Sequence, residues 1–197
     1  MKEQQKKYEL TDEFIEHWSG KKLYRIRALV TFGSVVVGQL GGFVESEKNL
    51  DQSLLGNAWV FDDAQVYGNA QVYGNAQVSG NAWVFDDARV SGDARVSGDA
   101  RVSGDARVYG DASVRSYAII SDKKMIFLAS NVGSENGTLT VFNGKGGLIV
   151  TRGCFTGTVD EFLSKSAKVH DDKTRNEYKL LIEVAKSRIL GVKNERN

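Results

Sequence analysis

The side chains best suited to nucleophilic and acid–base chemistry are the single cysteine, Cys154, and the two histidines, His17 and His170. A thiol becomes a nucleophile when a neighbouring base or cation favours the thiolate, and neither histidine lies near Cys154 in sequence. Cys154, in Arg-Gly-Cys-Phe-Thr-Gly, is therefore expected to be a buried small hydrophobe, and each histidine to be solvated or structural. One cysteine makes neither a disulfide framework nor a thiolate metal site, which fits a reducing cytoplasm. Asn143-Gly-Lys-Gly-Gly147 has the glycines and lysine of a phosphate cradle but lacks the GxxxxGKS or GxxxxGKT spacing, and it lies between two strand-like runs, where a hairpin turn is expected. Carboxylates abound, yet no pair is set in an apolar pocket that the sequence reveals. No catalytic residue, metal site or cofactor is expected.

Binding chemistry is better represented. Trp59, Phe61, Tyr67, Tyr73, Trp83 and Phe85 are followed along the repeat by Arg89, Arg95, Arg101 and Arg107, and these by Tyr109. Aromatic rings and guanidinium groups are the preferred anchors of interfaces, and together they can stack on and pair with a flat, anionic ligand. The candidate ligand or partner residues are Trp59, Tyr67, Tyr73, Trp83, Phe85, Arg89, Arg95, Arg107 and Tyr109. What they can do depends on the elements that hold them.

Those elements are written in a repeat. From Gly56 to Ser121 the chain reads GNAWVF DDAQVY GNAQVY GNAQVS GNAWVF DDARVS GDARVS GDARVS GDARVY GDASVR SYAIIS, with alanine third in every hexad and valine fifth in the first ten. A fixed short period means stacked copies of one unit, each burying its apolar face against its neighbours. Alanine and valine, two apart, point to one side of a strand; the residue between them points to the other. Glycine with asparagine or aspartate turns the corner. Three hexads then make one triangular coil of eighteen residues, and about four coils stack roughly 4.8 Å apart. Tyr73, Ser91 and Tyr109 share one corner row, and Tyr67 and Phe85 are adjacent on another.

Here the residues carry a resemblance. Val-x-Gly-Asn-Ala-x is similar to the hexapeptide repeat of left-handed parallel β-helices, and the handedness is what that resemblance implies. Many hexapeptide proteins are acyltransferases that place a catalytic histidine on the coil wall or a projecting loop, as the base toward an acceptor hydroxyl or amine. Residues 56–121 contain no histidine and no insertion, so acyl transfer is disfavoured. Hexapeptide β-helix proteins are typically trimers, which together with the aromatic content of the early coils gives the expectation of a homo-oligomer, trimer or dimer, with ligand clefts between subunits.

Lysine and arginine number 26 against 25 aspartate and glutamate, so net charge favours neither a nucleic-acid binder nor an acidic mimic. Charge is nonetheless patterned: corner asparagines give way to Asp93, Asp99, Asp105 and Asp111 as wall glutamines give way to arginines. The expectation is that each acid is matched by a nearby base on a solvated wall; calcium held by the stacked aspartates is the weaker reading. Met1 to Leu10 is charged and polar, unlike a signal peptide, and no apolar run approaches a membrane span.

The repeat divides the chain into an N-terminal cap, 1–55, the β-helix, 56–121, and a C-terminal α+β unit, 122–197. Within the cap, Phe14 to Trp18 and Leu23 to Ala28 read as strands around Ser19-Gly20, with a helix starting at Thr11 as the alternative, and Leu29 to Val44 is apolar and glycine-rich without helical spacing. After the repeat, Met125 to Ser130, Thr138 to Phe142 and Gly147 to Thr151 predict a three-stranded meander with Asn136-Gly137 and Asn143-Gly144 as its turns. Thr158-Val159-Asp160-Glu161 predicts a capped helix start. A second helix is predicted from about Lys173 to Leu190, with Tyr178, Leu181, Ile182, Ala185 and Ile189 as its buried stripe. The fold expected is thus mainly β, a parallel β-helix between a β cap and an α+β unit.

The flanks carry a second resemblance. Leu23-Tyr-Arg-Ile-Arg-Ala-Leu29 and Val37-Gly-Gln-Leu-Gly-Gly-Phe-Val-Glu-Ser-Glu-Lys-Asn-Leu50 resemble the entry to the repeat in accessory proteins of bacteriophage and prophage genomes, and Thr151 to Leu163 with Tyr178 to Ile182 resembles their tail. The resemblance implies a phage-encoded accessory protein, and together with the lack of catalytic groups it gives the expectation of a non-enzymatic binding protein in the cytoplasm of a bacterial host. The expected role is to inhibit antiviral defence, either by docking on a defence protein such as a CRISPR effector or by sequestering a nucleotide signal. A scaffold or virion accessory part is the alternative; no membrane or nucleic-acid partner is expected.

Overall fold

The computed structural model describes residues 5–191. Each hexad contributes a two-residue strand, and the strands stack into three parallel walls. One wall holds β5 (Gln65–Val66), β8 (Trp83–Val84), β11 (Arg101–Val102) and β14 (Ile119–Ile120). The second holds β4 (Trp59–Val60), β7 (Gln77–Val78), β10 (Arg95–Val96) and β13 (Ser113–Val114), and the third β6 (Gln71–Val72), β9 (Arg89–Val90) and β12 (Arg107–Val108). Register is the predicted one, Gln71 against Arg89 and Arg89 against Arg107. The hexad valines from Val60 to Val114 are no more than 1% exposed, and each such burial contributes about 1.5–3 kcal/mol.

Corners take left-handed backbone, with Gly92 at φ 69° so close to the next coil that a Cβ would meet Gly110 N at 3.0 Å. Asp62 and Asp86 occupy the same place at φ 53° and 58°. Their carboxylates accept from the amides of Gly80 (2.9 Å) and Gly104 (3.3 Å) one coil on, which offsets the strain of a left-handed residue that carries a Cβ.

Within each wall the amide of one coil donates to a carbonyl of the next, as in Trp59 N to Ala76 O (3.1 Å) and Gln71 N to Ala88 O (3.0 Å). The first coil therefore has carbonyls without donors, and the N-terminal segment supplies them. A hairpin of β1 (Tyr8–Glu16) and β2 (Lys22–Ala28) runs into β3 (Leu40–Val44), which pairs with β2 on one side and β5 on the other and so extends the first wall. The buried Lys7 ammonium reaches Gly56 O (3.4 Å) and Ala58 O (3.2 Å) at the start of the second wall; burial holds it below the usual lysine range despite Asp51 nearby. The buried Asn49 amide donates to Gly68 O (3.0 Å) and Ala70 O (2.9 Å) at the start of the third.

Two readings of the cap are corrected. The first strand begins at Tyr8 rather than Phe14, and no helix starts at Thr11, because pairing with β2 runs from Tyr8 opposite Ala28 to Glu16 opposite Lys22. The solenoid also starts ahead of Gly56: Phe43 pairs with Gln65 and Leu50 with Val72, in a first coil longer than the eighteen-residue repeat.

The C-terminal sheet has four strands, β15 (Ile126–Val132), β16 (Gly137–Gly144), β17 (Gly147–Arg152) and β18 (Phe155–Thr158), all antiparallel in sequence order. The last was not expected. Neither Asn-Gly pair is a turn centre: Asn136, at φ 46°, ends a loop over 133–136, and Asn143-Gly144 lies inside β16, with Lys145-Gly146 making the turn. Period-2 alternation gives β16 two apolar faces. Leu139 and Val141 pack against α1 (Val159–Val169) and α2 (Asp172–Lys186), while Phe142 joins Ile126 in the solenoid core and plugs its end. Thr158 and Glu161 form the expected capping box, and Tyr178, Ile182 and Ala185 are buried as predicted. A π-helical turn, Ser187–Gly191, follows α2. Among the described residues no helix is long and apolar enough to cross a membrane.

Candidate functional site

Stacking at eighteen residues puts the wall positions of β6, β9 and β12 in one row, Gln71, Arg89 and Arg107. The corner positions two residues on make a second row, Tyr73, Ser91 and Tyr109, on the same outward side. The C-terminal unit crosses the far end of this wall: Lys123 follows the last hexad, β15 brings Ile126, Phe127 and Leu128, and the turn after α2 brings Arg188. Together these residues enclose a groove of about 700 Å³.

Among the described residues its lining holds four cations, Arg89, Arg107, Lys123 and Arg188, and no carboxylate. Lys123 is paired with Asp105 (2.8 Å), whose carboxyl the Lys123 hydrogen bond holds below the usual carboxylate range. The three guanidinium groups make no ion pair among the described residues. Arg89 and Arg107 are in-register neighbours, an arrangement of like charge that disfavours itself unless an anion lies between or over them.

The edge of this wall is also open. Gln71, Tyr73, Arg89 and Ser91 each donate a backbone amide to the following coil. Arg107 and Tyr109, on the last strand of the third wall, find no such acceptor among the described residues. The other two walls are capped at this end: Ser113 N donates to Thr140 Oγ1 (3.3 Å), Thr151 Oγ1 donates to Ser113 O (2.6 Å), and Asn143 Nδ2 donates to Ile119 O (3.1 Å).

Of the nine candidates, the structure gathers Tyr73, Arg89, Arg107 and Tyr109 in the groove. The others lie elsewhere, and the N-terminal segment, not a second copy, covers the most deeply placed. Trp59 is fully buried between Tyr8 (centroids 6.0 Å, 76°) and Phe32 (5.4 Å, 70°). Tyr67 stacks on Phe85 (5.1 Å, 8°) and lies under Leu23 and His17; burial pushes its phenol up to about 12. Trp83 is half-buried, with the Arg101 guanidinium 4.8 Å from its ring. Arg95 is on another wall, beside Asp93, Asp111 and Arg152.

Sequence reasoning missed Lys123, Phe127 and Arg188, which reach the groove only because the C-terminal unit folds back over the coil end. No local signal marks them. The matching of each corner acid to a nearby base is corrected in part: Asp105 pairs with Lys123 (2.8 Å), but Asp93, Asp99 and Asp111 pair with no base among the described residues. Asp93 and Asp99 accept from the Asn75 and Asn81 amides one coil before (3.0 and 3.2 Å), and no repeat arginine pairs with a corner aspartate among the described residues. The corner carboxylates are instead taken up by corner amides of the neighbouring coil.

Cys154 is exposed, contrary to expectation, because it sits with Gly153 in the two-residue turn joining β17 and β18. The fold brings it to the same cavity as His170, about 410 Å³ and floored by Phe155, Phe162 and Tyr178. No hydrogen bond joins the two. His17 is buried, its Nδ1 2.8 Å from Ser19 Oγ and its ring against Tyr67.

No curated protein matches this chain. A family model described as the YdcK beta solenoid repeat matches it in overlapping segments, 64–80, 70–86, 76–92, 88–102 and 100–116. These lie wholly within the stacked coils, so the likeness extends to the solenoid and to neither flank; the chain is a repeat β-helix protein.

Proposed function

We propose that this chain is a non-enzymatic binding protein whose ligand face is the groove along β6, β9 and β12. The observation that carries the reading is the convergence of Arg89, Arg107 and Arg188, unpaired among the described residues, with Tyr73, Tyr109 and Phe127 on one groove of about 700 Å³. Volume and lining suit a small ligand, with few polar anchors on a partly apolar surface. The flanks' likeness to phage and prophage accessory proteins supports an inhibitor of host antiviral defence, and the concave basic groove favours capture of an anionic signal over flat docking on a defence protein. A homo-oligomer, trimer or dimer, belongs to the same proposal, on faces other than those that Tyr8, Leu23 and Phe32 already cover.

Native mass spectrometry of protein purified from host lysate tests the reading. The wild type should retain a small anionic mass that denaturation releases, and an Arg89→Glu, Arg107→Glu double variant should lose it. These are exposed wall positions, so the variant should fold, and charge reversal at a desolvated contact should weaken binding at least about tenfold. An identical retained set in both proteins would sink the proposal.

Acyl transfer should be absent. Neither the repeat nor the groove lining offers a histidine as general base. Coenzyme release from acetyl-coenzyme A should therefore stay at background with a panel of amine and hydroxyl acceptors. Turnover abolished by His17→Ala or His170→Ala would overturn this.

A further inference from the structure

The corner row Tyr73, Ser91, Tyr109 is an aromatic ladder with its middle rung missing. The protein supplies its own ruler for such a ladder: Tyr67 and Phe85, on adjacent coils of another row, stack with centroids 5.1 Å apart and planes 8° apart. A ring at the place of Ser91 would stand one coil from Tyr73 and one coil from Tyr109, at the hexad position that Tyr67 and Phe85 hold on their own row. With serine there, Tyr73 and Tyr109 sit two rungs apart, roughly 10 Å, with the place of one rung between them unfilled by a ring. Tyr73 and Tyr109 are 40% and 56% exposed, so the described chain leaves the gap open.

Two residues back along each strand, roughly 6.6 Å, stand Arg89 and Arg107, with Arg188 across the groove. Three guanidinium groups that make no ion pair among the described residues exceed what one carboxylate can satisfy, and their planar donor forks suit phosphate oxygens. The in-register Arg89 and Arg107 call for an anion carrying more than one charge. The distance between the two rows is about the span of a ribose.

Resting on the binding face proposed above, we infer that the groove takes a nucleoside di- or polyphosphate, its base inserted at Ser91 between Tyr73 and Tyr109 and its phosphates on Arg89, Arg107 and Arg188. Stacking of this kind tolerates different bases, so the slot selects for a flat base and the arginines for the phosphate chain.

Calorimetry with ADP, adenosine and inorganic pyrophosphate on the full chain separates the parts. ADP should bind at least about tenfold more tightly than either fragment. Ser91→Tyr, which fills the slot with the protein's own ring, should weaken ADP at least about tenfold, leave pyrophosphate unchanged and not lower the melting temperature. Tyr109→Ala removes only an exposed ring and should weaken ADP by about fivefold or more. Pyrophosphate binding with ADP no tighter, or ADP binding unaltered in both variants, would overturn the slot while leaving the basic face standing. Failure of both ligands, together with a lysate ligand indifferent to charge reversal at Arg89 and Arg107, would remove slot and face alike. A short single-stranded oligonucleotide binding more tightly than ADP, with affinity rising with its length, would also overturn the inference, since the groove would then follow a strand.

Discussion

Val90→Asp should leave the protein unable to hold its solenoid at ordinary temperature, while Arg95→Gln should be almost silent. Val90 lies in β9, fully buried, in register with Val72 below and Val108 above. The interior around it is alanine and valine, and the wall amides are committed to neighbouring coils. A carboxylate placed there has neither water nor donor, and an unsatisfied buried polar group of this kind costs several kcal/mol. Set against a total stability on the order of 5–15 kcal/mol for a domain, one such change is enough. In a stack, moreover, the damage is not local, because each coil is stable only through its neighbours. Arg95 stands outside on β10 between Gln77 and Ser113, is exposed and makes no ion pair among the described residues. Glutamine already occupies the equivalent place one coil earlier, so the exchange should shift stability by less than about 1 kcal/mol. Thermal melts followed by circular dichroism decide it: equal melting temperatures would mean that the inward and outward assignments are wrong.

That pair of substitutions rests on what the sequence displays most openly. The hexads give coil length, wall register and facing, because periodicity and facing are both local properties of a strand. The groove was half legible for the same reason: Tyr73, Arg89, Arg107 and Tyr109 could be put on adjacent rows by counting in eighteens. Its other half comes from Lys123, Phe127 and Arg188, and no count within the repeat reaches them. Arg188 in particular arrives from beyond α2, through the packing of two helices on the C-terminal sheet.

The burial of the early aromatics was illegible in the same way, since Tyr8, Leu23 and Phe32 cover Trp59 and Tyr67 from remote positions in the chain. Phe43 and Leu50 were passed over as coil residues because their partners are not eighteen residues away. Asn143-Gly144 misled for a different reason. It is a strong turn signal by composition, but Phe142 must face the solenoid core opposite Ile149, and that register moves the turn to Lys145-Gly146.

Trp59→Ala should be among the most damaging large-to-small substitutions in the chain, and it should destabilise without touching ligand binding. The indole is the largest fully buried side chain, held edge-on to both Tyr8 and Phe32. It lies so close over Gly41 that a Cβ there would meet the ring at 2.7 Å. It therefore joins three pieces of the cap, β1, the turn after β2 and the start of β3, to the first strand of the second wall. Removing it opens a large cavity where the solenoid's end must stay closed, and truncations of this kind cost about 3–5 kcal/mol. Trp59 lies outside the groove that holds Arg89, Arg107 and Tyr109, so the surviving folded fraction should keep its affinity for an anionic ligand. The two measurements are a denaturant melt and a titration corrected for folded fraction. A melt within about 1 kcal/mol of the wild type would show that the ring is not what closes the end. Lost affinity in molecules that remain folded would instead return Trp59 to the binding face, and would mean that the cap and the groove act on each other through the stack.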